Sequence, residues 1–375
     1  MFARESHNLG RPMATAILFV ALALSSLTVS AESALTITDI RGREVVIQQP
    51  VRKLAIDDGR FLIALSLITS DPVSFLTAWP HDINRLGDDM YATYRQQYPQ
   101  LDTLARIPSS AAAFNVESVL SAAPDVLVVS AGTGPTEAQV AQLQRGGVPV
   151  VFIDFFTNPF VNLEPSLGIL ASLTGSEQKA EEFIEFRRER MARISERIAQ
   201  VPADERPTVF LEPHAGMSAD CCSSPGRGNM GDYIDFVGGN NIGAEVIPQA
   251  FGVLSLEYVI ASDPDVYIAT GGPHLERTGG LVLGAAYSEQ RARESLKGVS
   301  SRTGITFLSA VANGRTHGFS HQLINSPVDI VAIEVFARWV HPELFADIDP
   351  VATLNELNTR FLQVPYEGVY WVDID

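Results

Sequence analysis

Both cysteines of the 375-residue chain stand side by side, at Cys221 and Cys222, in the stretch ADCCSSPGRGNMGDYIDF (219–236). Just downstream, Gly226-Arg227-Gly228-Asn229-Met230-Gly231 fits the pattern G-x-G-x-x-G. Three chemistries are open to such a stretch: a redox pair, a dinucleotide turn, or capture of an anion. Adjacent Cα atoms lie about 3.8 Å apart, below the usual disulfide range of about 4.4–6.8 Å, so a vicinal bridge is possible but strained. A dinucleotide turn sits directly on the end of its strand. Here about a dozen residues separate Glu212 from Gly226, which favours a glycine-rich loop leading into a helix. Loop amides, a helix N-terminus and Arg227 would together suit an anionic group.

Other candidates gather where strands are expected to end. His81, His214, His274, His317 and His321 could ligate a transition metal. Only His317 and His321 have i,i+4 spacing, and their segment reads as loop, so no metal site is expected; cleft or surface histidines are the simpler reading. Trp79, Phe155, Phe156 and Phe319 fall at similar ends and would suit a flat or bulky ligand. There is no G-x-S-x-G, no Walker lysine loop and no H-E-x-x-H, and no acid and base are paired by spacing. Catalysis and a bound cofactor are therefore not expected.

The elements that must position these residues repeat. FNVESVLSAAPDVLVVS (114–130) and LSLEYVIASDPDVYIAT (254–270) align with a shift of 140 positions, Glu117 on Glu257 and Pro124-Asp125 on Pro264-Asp265. Each reads as a short helix, a Pro-Asp turn and a buried strand. One recurrence points to two similar α/β lobes. Either Glu alone is a solvated helix residue; as a matched pair they could offer one acid per lobe to arginines of a symmetric partner. Around the first unit, strands at 52–56, 72–78 and 148–154 alternate with helices at 59–68 and 136–147. Around the second, strands are expected at 207–213, 265–270 and 304–310, with helices from about Met230 and over 327–345. Such alternation implies mainly parallel sheets covered on both faces, with ligands at the carboxyl ends of the strands. Between the lobes, 176–200 lacks Gly and Pro and reads as one long helix, a stiff connection. The expected division is 1–31 signal peptide, 32–174 N-terminal lobe, 175–201 connecting helix, and 202–375 C-terminal lobe with an extended tail.

The signal reading rests on Arg4 and Arg11, the apolar run ATAILFVALALSSLTV and the small residues that follow it. That run is short for a membrane span, and the mature chain is expected to start near Glu32. The formal charge of −17 argues against nucleic acid, and 46% apolar residues allow a substantial core.

With these features the chain resembles the class III periplasmic substrate-binding proteins of ABC importers for ferric siderophores, haem and cobalamin. The carriers are ITDIRGREVVIQQPVRKLAI, the two matched stretches, GGNNIG and SPVDIVAIEVFARWVHPELF. The resemblance implies two Rossmann-like lobes joined by one long helix, with ligand in the cleft between them. It implies a monomer that docks on its permease and ATPase complex through Glu117 and Glu257. The tail looks more like the iron-complex members, so a ferric siderophore is the expected ligand. Arg60, Arg227 and Arg277 are expected to meet its anionic oxygens. Trp79, Phe155, Phe156, His214 and Phe319 are expected to form the apolar and stacking wall. Haem or cobalamin, a bare metal ion, or a substrate turned over in the cleft are the other readings.

Overall fold

The computed structural model describes residues 1–3, 34–81, 83–110, 112–218, 221–324 and 326–374. Nearly all of the expected signal segment therefore lies outside the described residues. Among those described, no helix is long and apolar enough to cross a membrane.

From Ala34 the chain forms an antiparallel hairpin, β1 (Ala34–Thr38) and β2 (Glu44–Gln48). The N-terminal lobe is a five-stranded sheet of β3 (Leu54–Ile56), β4 (Leu76–Trp79), β5 (Ala105–Arg106), β6 (Val126–Ser130) and β7 (Val150–Ile153). Its order is β5-β4-β3-β6-β7, and every neighbouring pair is parallel. β6 and β7 are buried at every position, which their unbroken Val/Ile/Phe runs require.

The C-terminal lobe contains β8 (Thr208–Glu212), β9 (Ser223–Pro225), β10 (Asn240–Asn241), β11 (Phe251–Val253), β12 (Val266–Gly271), β13 (Thr316–Ser320) and β14 (Trp371–Asp373). Its main sheet runs β10-β8-β12-β13-β14, parallel except for the edge strand β14. β9 and β11 form a separate antiparallel pair. The expected strand at 304–310 is corrected: Ile305–Phe307 is a 3-10 turn and Ser309–Ala312 a short helix. Gly304 sits at φ 88°, and Asp263 accepts from the Ser309 amide at 2.8 Å, so this segment wraps the preceding helix instead of joining the sheet. The missing strand is THGFS, which had read as loop.

The repeat is structural. Helix Val116–Ala122 is capped by Asn115 and helix Leu256–Ser262 by Ser255, each side chain accepting from a backbone amide three residues on. Both helices end on a left-handed residue, Ala123 and Asp263. Asp125 then accepts from the amides of Arg52 and Lys53, and Asp265 from the amide and hydroxyl of Thr208. Each Pro-Asp turn thus pins the start of the neighbouring first strand of its lobe, β3 or β8.

The connecting helix is Glu177–Ile198, about 33 Å at 1.5 Å per residue. One continuous apolar core joins both lobes to it. Arg187, 1% exposed, makes a bidentate pair with Asp329 at 2.8 and 2.9 Å, and the Tyr233 hydroxyl donates to the same carboxylate. Removing one partner strands a buried charge, so Asp329→Ala is expected to cost about 3–5 kcal/mol in urea unfolding. A loss below about 1 kcal/mol would contradict this reading.

Glu334, in helix Ile330–Val340, lies 3.6 Å from Arg190 but leaves one carboxylate oxygen without a partner. Burial pushes its pKa from 4.5 to about 7, against the pull of Thr353 and Arg190. The folded state therefore holds a proton that the unfolded chain releases near 4.5. Its stabilising effect is full below that pH and is lost as pH rises through 7. Glu334→Gln should remove roughly 3 kcal/mol of pH dependence, seen as melting curves that converge with wild type at pH 4.5 and separate at pH 8.

Candidate functional site

In each lobe, the loops at the turning point of strand order carry the polar side chains. β3 and β6 flank that point in the N-terminal lobe, and β8 and β12 in the C-terminal lobe.

After β3 come Asp57, Asp58 and Arg60. Asp58 is fully buried and is held by Arg60 at 3.0 and 2.8 Å and by Arg85 at 2.5 Å. Burial alone would raise its pKa, but the two guanidiniums outweigh it and hold the carboxyl below its ordinary value. Both guanidiniums thus converge on one buried carboxylate. The Arg60 guanidinium also lies 3.1 Å from the centre of the Phe156 ring. Asp57 beside them accepts from the Ser130 amide at 2.8 Å, and its other oxygen has no partner. Burial and the Asp58 charge push its pKa well up.

Opposite stand three histidines, one after each central strand of the C-terminal lobe: His214 after β8, His274 after β12 and His321 after β13. His214 Nδ1 lies 2.8 Å from His274 Nε2. The His214 and His321 ring centres are 3.6 Å apart. Thr270 ties the group together, accepting from the His214 amide and pairing with His321 Nδ1 at 2.9 Å. Gln322 Nε2 donates to His274 Nδ1 at 3.2 Å, which leaves His274 Nε2–H to donate to His214. Burial lowers all three pKa values, His214 to about 4 with help from His274, and His321 further through its two neighbours and Arg60. The rings are neutral at physiological pH. Among the described residues no group of three or more His, Cys, Asp or Glu is placed to hold a metal ion.

Two hydrogen bonds join the lobes beside the cleft. Asn229 donates from Nδ2 to the Phe156 carbonyl, and the Ala285 amide donates to Asp89 at 2.6 Å. A Cβ on Gly284, at φ 133°, would come within 2.2 Å of the Asp89 carboxylate, so glycine permits that contact.

The glycine-rich loop borders the cleft through Asn229, and its glycines serve packing. A Cβ on Gly226 would fall 2.1 Å from the Gln249 carbonyl, and one on Gly231 would fall 2.2 Å from the Gly226 carbonyl. Arg227 is exposed and donates to the Ala244 carbonyl. Cys221 and Cys222 are joined in a vicinal disulfide across a cis peptide. Cys222 is buried in the core of the C-terminal lobe, and Cys221 is half-buried against it.

The expected aromatic wall needs correction. Trp79, Phe155 and Phe319 are at most 1% exposed and pack into the main core. The Trp79 indole donates to the Leu101 carbonyl, and Phe319 meets Phe336 and Trp339 edge-on. Phe156 is 8% exposed, under Arg60. Arg277 is exposed on the 3-10 turn that begins just before His274. Arg85 was not chosen from sequence, because it lies in a stretch without a readable element; His274 and His321 were noted only as possible metal ligands, and His321 follows the unrecognised β13.

The sequence pattern of the periplasmic binding protein family matches residues 65–317. The chain belongs to that family. The binding protein is 26% identical over 273 residues to the molybdate-binding protein MolA of Haemophilus influenzae, covering 67% of this chain and 73% of the relative. Its fold matches the TroA-like periplasmic binding protein FepB of Veillonella parvula with a TM-score of 0.81 at 23% identity, covering 91% of this chain and all of that one. It matches molybdate-bound MolA with a TM-score of 0.68 at 18% identity, over 89% and 99% of the two chains. In the binding protein, Glu117 and Glu257 occupy the first turns of the two matched helices, and both side chains are exposed.

Proposed function

We propose that this binding protein captures an anionic, metal-centred solute between its lobes, most directly a ferric siderophore, and delivers it to an ABC permease and its ATPase. The observation that carries this reading is the convergence of two guanidiniums, Arg60 and Arg85, beside the carboxyl end of β3, with three neutral histidines at the strand ends of the other lobe. Guanidiniums suit carboxylate or catecholate oxygens, and neutral imidazoles can donate to an anion or meet a metal centre. The burial of Trp79, Phe155 and Phe319 removes the support that a broad aromatic wall would lend to haem or cobalamin. A molybdate-like oxyanion is the second reading, favoured by the relative that binds molybdate.

Calorimetric titration with ferric catecholate and hydroxamate siderophores, molybdate, haem and cobalamin tests the proposal. Saturable binding of a ferric siderophore supports it. Silence toward every iron complex overturns it, and binding of molybdate alone establishes the second reading.

The proposal includes export with cleavage near residue 31, so N-terminal sequencing of the mature protein should begin near Glu32. Glu117 and Glu257 are proposed to dock on basic groups of the permease.

A further inference from the structure

The C-terminal lobe carries a second concavity, away from the cleft. β13 runs from Thr316 to Ser320, and His321 follows it into the cleft wall. At the other end of this strand, around His317, lies a cavity of about 370 Å³. At about 3.3 Å per residue, the two ends are on the order of 13 Å apart. The volume falls at the lower end of the range of small-molecule pockets, about 300–1,000 Å³.

Two guanidiniums line this cavity, Arg315 and Arg338. Arg315 donates to the Trp339 and Val340 carbonyls at 2.9 and 3.0 Å, and Arg338 to the Ile348 carbonyl at 3.1 Å. Neither forms an ion pair with a carboxylate among the described residues. Burial pushes the Arg315 pKa down, with Asp265 only partly opposing it. The acid lining the cavity, Asp373, is already engaged: its carboxylate pairs with His317 Nδ1 at 2.7 Å and is further stabilised by Trp339 and Arg293. The cavity thus holds two cations that no carboxylate pairs with directly among the described residues, in a chain with a formal charge of −17.

The apolar walls are flat. Trp339 stacks on His317 with centres 4.6 Å apart and planes within 13°. Trp371 lines the same cavity and is partly exposed. Guanidiniums grip carboxylates in bidentate fashion, and indole faces favour flat rings.

We infer that this cavity is a second ligand site for a small, flat organic anion of the aromatic carboxylate class. Arg315 and Arg338 hold the carboxylate, and the partly exposed Trp371 meets the ring, with the edge of the buried Trp339 beside it.

The chain has three tryptophans, and two of them lie in this site, which makes the test direct. Benzoate is titrated into the 15N-labelled mature protein while the indole N–H signals are followed by NMR. The Trp339 and Trp371 signals should move saturably, and the Trp79 signal should stay still. Benzyl alcohol, the neutral counterpart, should bind about tenfold more weakly or less. Arg338→Gln alters an exposed residue, so folding is retained, and it should weaken benzoate about tenfold to a hundredfold. Trp371→Leu should weaken benzoate while leaving any response to sulfate unchanged. Arg60→Gln, in the cleft, should have no effect. The inference is overturned if benzoate moves neither indole, if benzyl alcohol matches it, if Arg338→Gln binds as wild type, or if sulfate competes as well as benzoate.

Discussion

Reversing both tip acids, Glu117→Lys together with Glu257→Lys, is expected to abolish uptake and to leave ligand affinity unchanged. The two side chains are exposed in the first turns of capped helices, so lysine meets no packing barrier. They sit at matched positions of the two repeats, which suits a partner that presents the same basic surface twice. A like charge placed against such a surface costs several kcal/mol, and two such sites compound the loss. Either single reversal should reduce uptake in part. Whole-cell uptake of labelled ligand, paired with calorimetry on the purified double variant, separates docking from binding. Normal uptake by the double variant would contradict the docking proposal.

Arg60→Gln should weaken ligand binding about tenfold to a hundredfold, by removing one of two cations from the cleft. It should also destabilise the protein by about 1–3 kcal/mol, because the buried Asp58 would keep Arg85 as its principal counter-charge. Lysine should not restore binding fully, since it cannot reproduce the two-point hold on Asp58. Arg227→Gln is the contrast. That side chain is exposed and donates to a backbone carbonyl, so stability should change by no more than about 0.5 kcal/mol. Calorimetric titration and urea unfolding of the two variants check both statements, and equal affinities for Arg60→Gln and wild type would contradict the first.

Much of the fold was legible because the repeat is local. The Glu, Pro and Asp of each unit are close in sequence, and their caps and turns act over a few residues. β13 was not legible. THGFS has little apolar or β-branched content, and it is a strand because β12 and β14 supply ladder partners on both sides. GITFLSA has the composition of a strand, but Gly304 and the bond from Ser309 to Asp263 commit it to a turn.

The site divides in the same way. Strand ends were located well enough to bring Arg60 and His214 to notice, and they follow β3 and β8 in the structure. The same reasoning over-selected Trp79, Phe155 and Phe319. Side chains alternate direction along a strand, so a residue at its end can as readily face the core as the cleft. The grouping of Arg85 with Asp58, or of His214 with His274 and His321, depends on contacts between residues 27 to 107 positions apart. No local pattern encodes such contacts.

The central claim is that the cleft holds an anionic, metal-centred solute between Arg60 and Arg85 on one side and the histidines on the other. Native mass spectrometry of the protein purified from its native cells tests this most directly. The account predicts an adduct with the isotope signature of a metal complex, lost in Arg60→Gln. A metal-free adduct, or a metal-bearing one equally abundant in that variant, would contradict it.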